Sequence, residues 1–93
     1  MSNATWPEGV IARYLTPGTA TVDITFDNDR GYIVAACTGE RCGWWRLTDT
    51  EARTEDTPEE AQERFEGWLP ASKAHAQQHA EVCRAMPRPA VDR

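Results

Sequence analysis

Three cysteines and two histidines provide all the thiol and imidazole groups of the chain. They are Cys37, Cys42, His75, His79 and Cys83. Four residues separate the first two, and the last three follow at intervals of four, which places them on one face of a helix. In many zinc fingers a hairpin loop supplies two ligands and a helix supplies two more. The sequence therefore predicts a metal site, and thiolate combined with imidazole favours Zn²⁺.

Helix geometry limits which helical side chains share one ion. Positions 75 and 83 lie about 12 Å apart along a helix axis, too far for two bonds of about 2.0–2.3 Å to one ion. The helical pair is thus His75 with His79, or His79 with Cys83. We favour the second pair because a third thiolate suits a closed site. The predicted ligands are Cys37, Cys42, His79 and Cys83, with His75 as the alternative ligand.

Other chemistries are open to the same residues. A Cys37–Cys42 disulfide leaves Cys83 unpaired, and Cys37 also fits a buried core thiol. His79-Ala80-Glu81 resembles the His-x-Glu of zinc-dependent cytidine deaminases, but the cysteines of that family follow the motif as Pro-Cys-x-x-Cys. With Cys83 as a fourth ligand, no position stays open for water. We therefore expect no enzyme activity, no catalytic residue and no small-molecule substrate.

Partner binding is predicted at the end of the loop that contains the cysteines. Trp44 and Trp45 are adjacent, so in a strand their side chains point to opposite faces. An exposed tryptophan beside Arg41 and Arg46 suits a protein partner or an unpaired base. The net charge is −5, and residues 49–66 alone carry eight acids and two bases. This charge disfavours nucleic acid, so a protein-interaction or regulatory module is the first hypothesis and weak nucleic-acid binding the alternative.

Periodicity predicts the elements that position these side chains. Residues 9–15, 19–26, 32–37 and 44–48 read as short strands of an antiparallel meander, and residues 19–26 alternate strictly between apolar and polar side chains. Thr57, Pro58 and Glu60 predict a helix start. Pro70 predicts a kink or a break near positions 67–70, with further helix to Met86. The fold class is therefore α+β, with three or four strands followed by one kinked helix or two consecutive helices.

The length of 93 residues predicts one small domain, residues 1–86, with a flexible tail at 87–93. A domain of this size has a marginal hydrophobic core, and a structural metal ion can add to its stability. No apolar run approaches the roughly 20 residues of a membrane span. The first ten residues lack the basic start and apolar stretch of a signal peptide, so we expect a cytoplasmic protein with reduced thiols.

Longer stretches of the chain carry a family resemblance. They are WPEGVIARYLT, ATVDIT, VAACTG, CGW and HAQQHAEVCRAMPRP. Their layout is similar to that of small zinc-finger-like proteins of actinobacteria, which combine an Ala-Cys knuckle with a C-terminal helix that contains His-x3-Cys. The resemblance implies a metal site at Cys37, Cys42, His79 and Cys83, and no particular activity. The usual knuckle of that group is Cys-x2-Cys, so the loop of this chain is two residues longer.

Overall fold

A computed structural model describes residues 7–86 of the chain. The strands are β1 (Val10–Leu15), β2 (Thr21–Asp27), β3 (Tyr32–Cys37) and β4 (Trp45–Asp49), and the helix is α1 (Pro58–Val82). The strands form one antiparallel sheet in the order β1-β2-β3-β4, and the helix lies across one face of it. The predicted α+β fold is confirmed. The predicted tail, residues 87–93, lies outside the described residues.

The core lies between the helix and the helix-facing side of the sheet. In β2 the predicted alternation places Val22 and Ile24 on this side, and both are fully buried. The cluster consists of Ala12, Val22, Ile24, Ile33, Ala35, Ala76 and Ala80. Small side chains on both the sheet and the helix allow the two layers to approach closely. The sheet thereby places the ends of β3 and β4 beside the last turns of α1.

Helix α1 begins as the sequence predicts. The Thr57 hydroxyl accepts a hydrogen bond from the Glu60 amide (3.1 Å), and the Glu60 carboxylate accepts one from the Thr57 amide (2.9 Å). This capping box satisfies two amides that have no partner inside the helix. Pro58 occupies the first turn, where its missing N–H costs nothing.

The helix is continuous through Pro70, so the expected alternative of two separate helices is wrong. Proline removes one backbone hydrogen bond from the ladder. Here Pro70 is exposed, while Leu69 packs against the core cluster and Ser72 is buried. Packing on both sides of the proline therefore holds one 25-residue helix against the sheet.

The helix ends at Val82, four residues before the predicted end at Met86. Cys83 caps it in an extended conformation, with φ −77° and ψ 125°. The segment that follows is held by two loops: the Gly18 amide donates to the Cys83 carbonyl (3.3 Å), and the Glu40 amide donates to the Met86 carbonyl (2.7 Å). These bonds take the place of further helix because they fix the chain between the β1–β2 turn and the β3–β4 loop.

Candidate metal centre

The loop from Cys37 to Trp44, here called the cysteine loop, folds back on its own first sulfur. The Gly39 amide donates a hydrogen bond to Cys37 Sγ (3.3 Å). The Cys42 amide donates to the Gly39 carbonyl (3.2 Å). Arg41 and Gly43 both have positive φ, 66° and 69°, which makes the sharp turn around Cys42 possible. The loop is thus shaped so that both of its thiols lie on the side of the helix.

Four of the five soft ligand residues meet at one point. One ligand atom from each of Cys37, Cys42, His79 and Cys83 lies within 4.8 Å of all the others. Cys83 Sγ lies 3.8 Å from Cys37 Sγ and 3.7 Å from Cys42 Sγ. Cys42 Sγ lies 3.3 Å from His79 Nε2. The cysteine loop thus supplies two groups, the last helical turn supplies the imidazole, and the helix cap supplies the third thiol.

These distances fit a tetrahedral ion. Thiolates bound at about 2.3 Å in a tetrahedron lie about 3.8 Å from one another. A disulfide would instead bring two sulfurs to about 2.05 Å. All three cysteines are free thiols, and none is paired preferentially with another. The chemistry of the donor set and the spacing of its atoms both match a single soft cation surrounded by four protein ligands.

The pKa shifts of the cluster differ from one ligand candidate to the next. Burial raises the pKa of the Cys37 thiol to about 11. The pKa of Cys83 is lowered, chiefly because the Ala85 backbone amide donates a hydrogen bond to its sulfur. Burial lowers the pKa of His79, which keeps the imidazole in the neutral form that metals bind. Without a cation the Cys37 thiol stays protonated at neutral pH, so a metal bound here would displace its proton.

Trp44 covers the imidazole of the cluster. Its ring is stacked on the His79 ring, with centroids 4.4 Å apart and planes 6° from parallel. This contact fixes the plane of the imidazole while Nε2 faces Cys42. Trp44 also packs against the core cluster. It therefore links the metal centre to the hydrophobic core.

His75 lies outside the four-residue cluster. It lines a shallow cleft of about 220 Å³ with Trp44, Arg46, Gln78 and His79. Its Nδ1 is buried and has no hydrogen-bond partner. The structure thus combines His79 with Cys83, the pair that the sequence favoured, and leaves His75 one helical turn away.

The residues predicted to bind a partner do not form one surface. Trp44 and Arg46 line the cleft on the helix side of the sheet. The Trp45 side chain points to the opposite side and is 63% exposed. Arg41 is exposed at the tip of the cysteine loop. Of the two tryptophans, Trp45 is therefore the exposed one.

Two glycines that support the site were not identified from the sequence. A Cβ atom on Gly39 would lie 2.6 Å from Cβ of Ala85, and one on Gly18 would lie 2.5 Å from the Arg84 carbonyl oxygen. Both glycines let the segment after Cys83 pass close to the loops. Pro17-Gly18 is typical of a turn, but nothing local indicates that a distant segment packs against it.

Comparison with family models, with curated proteins and with solved structures gave no match. Within residues 7–86, α1 is the one helix, and it is not apolar enough to cross a membrane. The interpretation of the site therefore rests on its own geometry.

Proposed function

We propose that this protein is a small zinc-stapled domain in which Cys37, Cys42, His79 and Cys83 hold one structural Zn²⁺. The observation that carries the proposal is the set of four ligand atoms within 4.8 Å of one another. Three thiolates and one imidazole form a donor set that zinc commonly takes in structural sites. Zinc contributes no redox chemistry and, with four protein ligands, has no position for a substrate or a water molecule. The domain is therefore structural rather than enzymatic.

The role of such a domain is to present a surface to a protein partner, as an interaction or regulatory module. Its support is the exposed Trp45, because large aromatic side chains are frequent anchors of protein interfaces. The net charge of −5 opposes a phosphate-driven contact with nucleic acid. Three free thiols fit a reducing compartment, and we place the protein in the cytoplasm.

Native mass spectrometry tests the metal and its ligands. Protein purified under reducing conditions is expected to carry one zinc per chain. Cys83→Ser removes one ligand and should lose the metal, whereas His75→Ala, one turn away on the same helix, should keep it. Replacement by Co²⁺ should give the visible absorption of a tetrahedral thiolate site.

The opposite pattern, with zinc kept in Cys83→Ser and lost in His75→Ala, would move the site to His75 and His79. Wild-type protein that binds no metal when refolded with excess Zn²⁺ and reductant would refute the proposal.

A further inference from the structure

The three sulfurs of the metal centre are close enough to react with one another. Cys83 Sγ lies 3.7 Å from Cys42 Sγ and 3.8 Å from Cys37 Sγ. A disulfide needs two sulfurs at about 2.05 Å, so an approach of about 1.7 Å would join Cys83 to Cys42. Zinc itself takes no part in redox reactions. Oxidation of this centre therefore means the removal of electrons from its cysteines.

The three cysteines differ in their access to solvent. Cys83 is buried, with 8% of its surface exposed. Cys37 is half-buried at the end of β3, where it pairs with β2. Cys42 is half-buried as well, but it lies in the cysteine loop between Arg41 and Gly43, which are both exposed. A small oxidant that arrives from solvent therefore meets Cys42 at the exposed end of this loop.

Hydrogen bonds distinguish the two half-buried cysteines. The Gly39 amide donates to Cys37 Sγ (3.3 Å). Within residues 7–86, no backbone amide donates to Cys42 Sγ, whose polar neighbours are Cys83 Sγ and His79 Nε2. A hydrogen bond to a thiolate withdraws electron density from the sulfur and lowers its nucleophilicity. Cys42 therefore has the more nucleophilic sulfur of the two.

The backbone of the cysteine loop allows Cys42 to move toward Cys83. The Cys83 amide donates to the His79 carbonyl (3.0 Å), and the Cys83 carbonyl accepts from the Gly18 amide (3.3 Å). The Cys42 amide bonds within its own loop, to the Gly39 carbonyl (3.2 Å). The end of the loop can therefore approach the helix cap while the hydrogen bonds of the cap stay in place.

The geometry points to Cys42 as a site of oxidation by a peroxide, with Cys83 as the thiol that then closes a disulfide and frees the zinc. The inference rests on the proposed zinc site, which holds both residues as thiolates. In a reducing compartment, protein disulfides are usually transient and often serve to sense oxidants. The metal centre is then a reversible peroxide sensor as well as a structural element.

The reaction has two steps. In the first, the Cys42 thiolate attacks one peroxide oxygen, so that an S–O bond forms, the O–O bond breaks, and a sulfenic acid and hydroxide result. In the second, the Cys83 thiolate attacks the Cys42 sulfur, so that the S–S bond forms, the S–O bond breaks and a second hydroxide leaves. The two sulfurs give two electrons to the peroxide, and two protons from solvent convert the hydroxides to water. The ion keeps only Cys37 and His79 and dissociates.

Excess hydrogen peroxide added to the zinc-loaded full chain tests this reaction. A chromogenic indicator should record the release of the zinc, and a thiol reductant with added Zn²⁺ should restore the loaded form. Trypsin places the three cysteines in separate peptides, residues 31–41, 42–46 and 74–84. After free thiols are blocked, mass spectrometry should find 42–46 linked to 74–84, with the blocking group on Cys37.

Two histidine variants separate the roles of the loop cysteines. Cys42→His and Cys37→His each keep four zinc ligands and two thiolates, so they differ in which loop sulfur is left. Zinc release by peroxide should be slower in Cys42→His than in Cys37→His by about tenfold or more, since only the second variant keeps both Cys42 and Cys83. The wild-type peptide map decides the pair even where a variant fails to bind zinc.

Zinc-loaded wild type that keeps its metal and its three thiols in excess peroxide overturns this inference and leaves the proposed metal site standing. A linked pair that includes Cys37, or equal rates in the two variants, overturns the assignment to Cys42 and Cys83. Reduced wild type that binds no zinc refutes the proposed function itself, and with it this inference.

Discussion

At the scale of single residues, the imidazole of His79 depends on two contacts of different kinds. Its Nε2 faces Cys42 Sγ at 3.3 Å, and its ring lies on the indole of Trp44 with centroids 4.4 Å apart. A stacked aromatic pair contributes about 0.5–1.5 kcal/mol beyond its burial. More importantly, stacking restricts the imidazole to one orientation, and in this orientation Nε2 points toward the other ligand atoms. Trp44 is therefore a positioning residue for the metal centre.

We expect Trp44→Ala to lower zinc affinity by about tenfold, within the range seen when groups that orient metal ligands are removed. Competition against a chelating indicator dye measures the change. Trp44→Phe keeps a stacking ring and should recover part of the affinity. Trp45→Ala is the matched control, because the Trp45 side chain points to the side of the sheet away from α1 and its loss should leave zinc affinity unchanged. Equal losses in Trp44→Ala and Trp45→Ala would contradict the positioning role.

At the scale of elements, the position of the segment after the helix is fixed by the close approach of two loops. A Cβ on Gly39 would lie 2.6 Å from Cβ of Ala85 and 3.4 Å from Cys37 Sγ. Gly39→Ala should therefore push this segment away and destabilise the fold by about 1–3 kcal/mol.

Gly67→Ala provides the contrast, since open space surrounds Gly67 in the middle of α1. Alanine there should stabilise by about 0.5–1 kcal/mol because glycine weakens helices.

Urea unfolding of the zinc-loaded variants measures both changes. The two alanine substitutions should shift the unfolding midpoint in opposite directions, Gly39→Ala downward and Gly67→Ala upward. If Gly39→Ala were neutral, the segment after Cys83 would not be confined by the loop as the structure describes.

The elements also show how far the sequence determines this fold. Apolar alternation predicted which side of β2 is buried, and the Thr57 cap predicted the start of α1, because both depend on neighbours in the chain. The end of α1 was predicted too late, since Cys83 leaves the helix for hydrogen bonds with residues more than forty positions away. Spacing alone did identify the ligand candidates, including His79 and Cys83. Their meeting with the cysteine loop depends on the sheet, which no local pattern encodes.

At the scale of the whole molecule, the core is built from small side chains. Of the largest fully buried side chains in residues 7–86, three are apolar: Val22, Ile24 and Ile33. At about 1.5–3 kcal/mol each, they contribute about 5–9 kcal/mol. The other four members of the core cluster are alanines, whose burial adds less. A structural zinc site contributes on the order of 10 kcal/mol or more. A zinc ion held by the four proposed ligands would thus contribute at least as much to stability as these three side chains do.

Removing the metal should therefore unfold the domain rather than loosen one end of it. The centre joins the end of β3 to the end of α1, and these two elements also supply much of the core. We expect a chelator with reductant to abolish the cooperative calorimetric transition and the near-ultraviolet circular dichroism of the tryptophans, and added Zn²⁺ to restore both. His75→Ala should respond as the wild type does. A metal-free protein that still melts cooperatively near the temperature of the zinc form would show instead that the small core suffices, and that the four ligands join elements already held together.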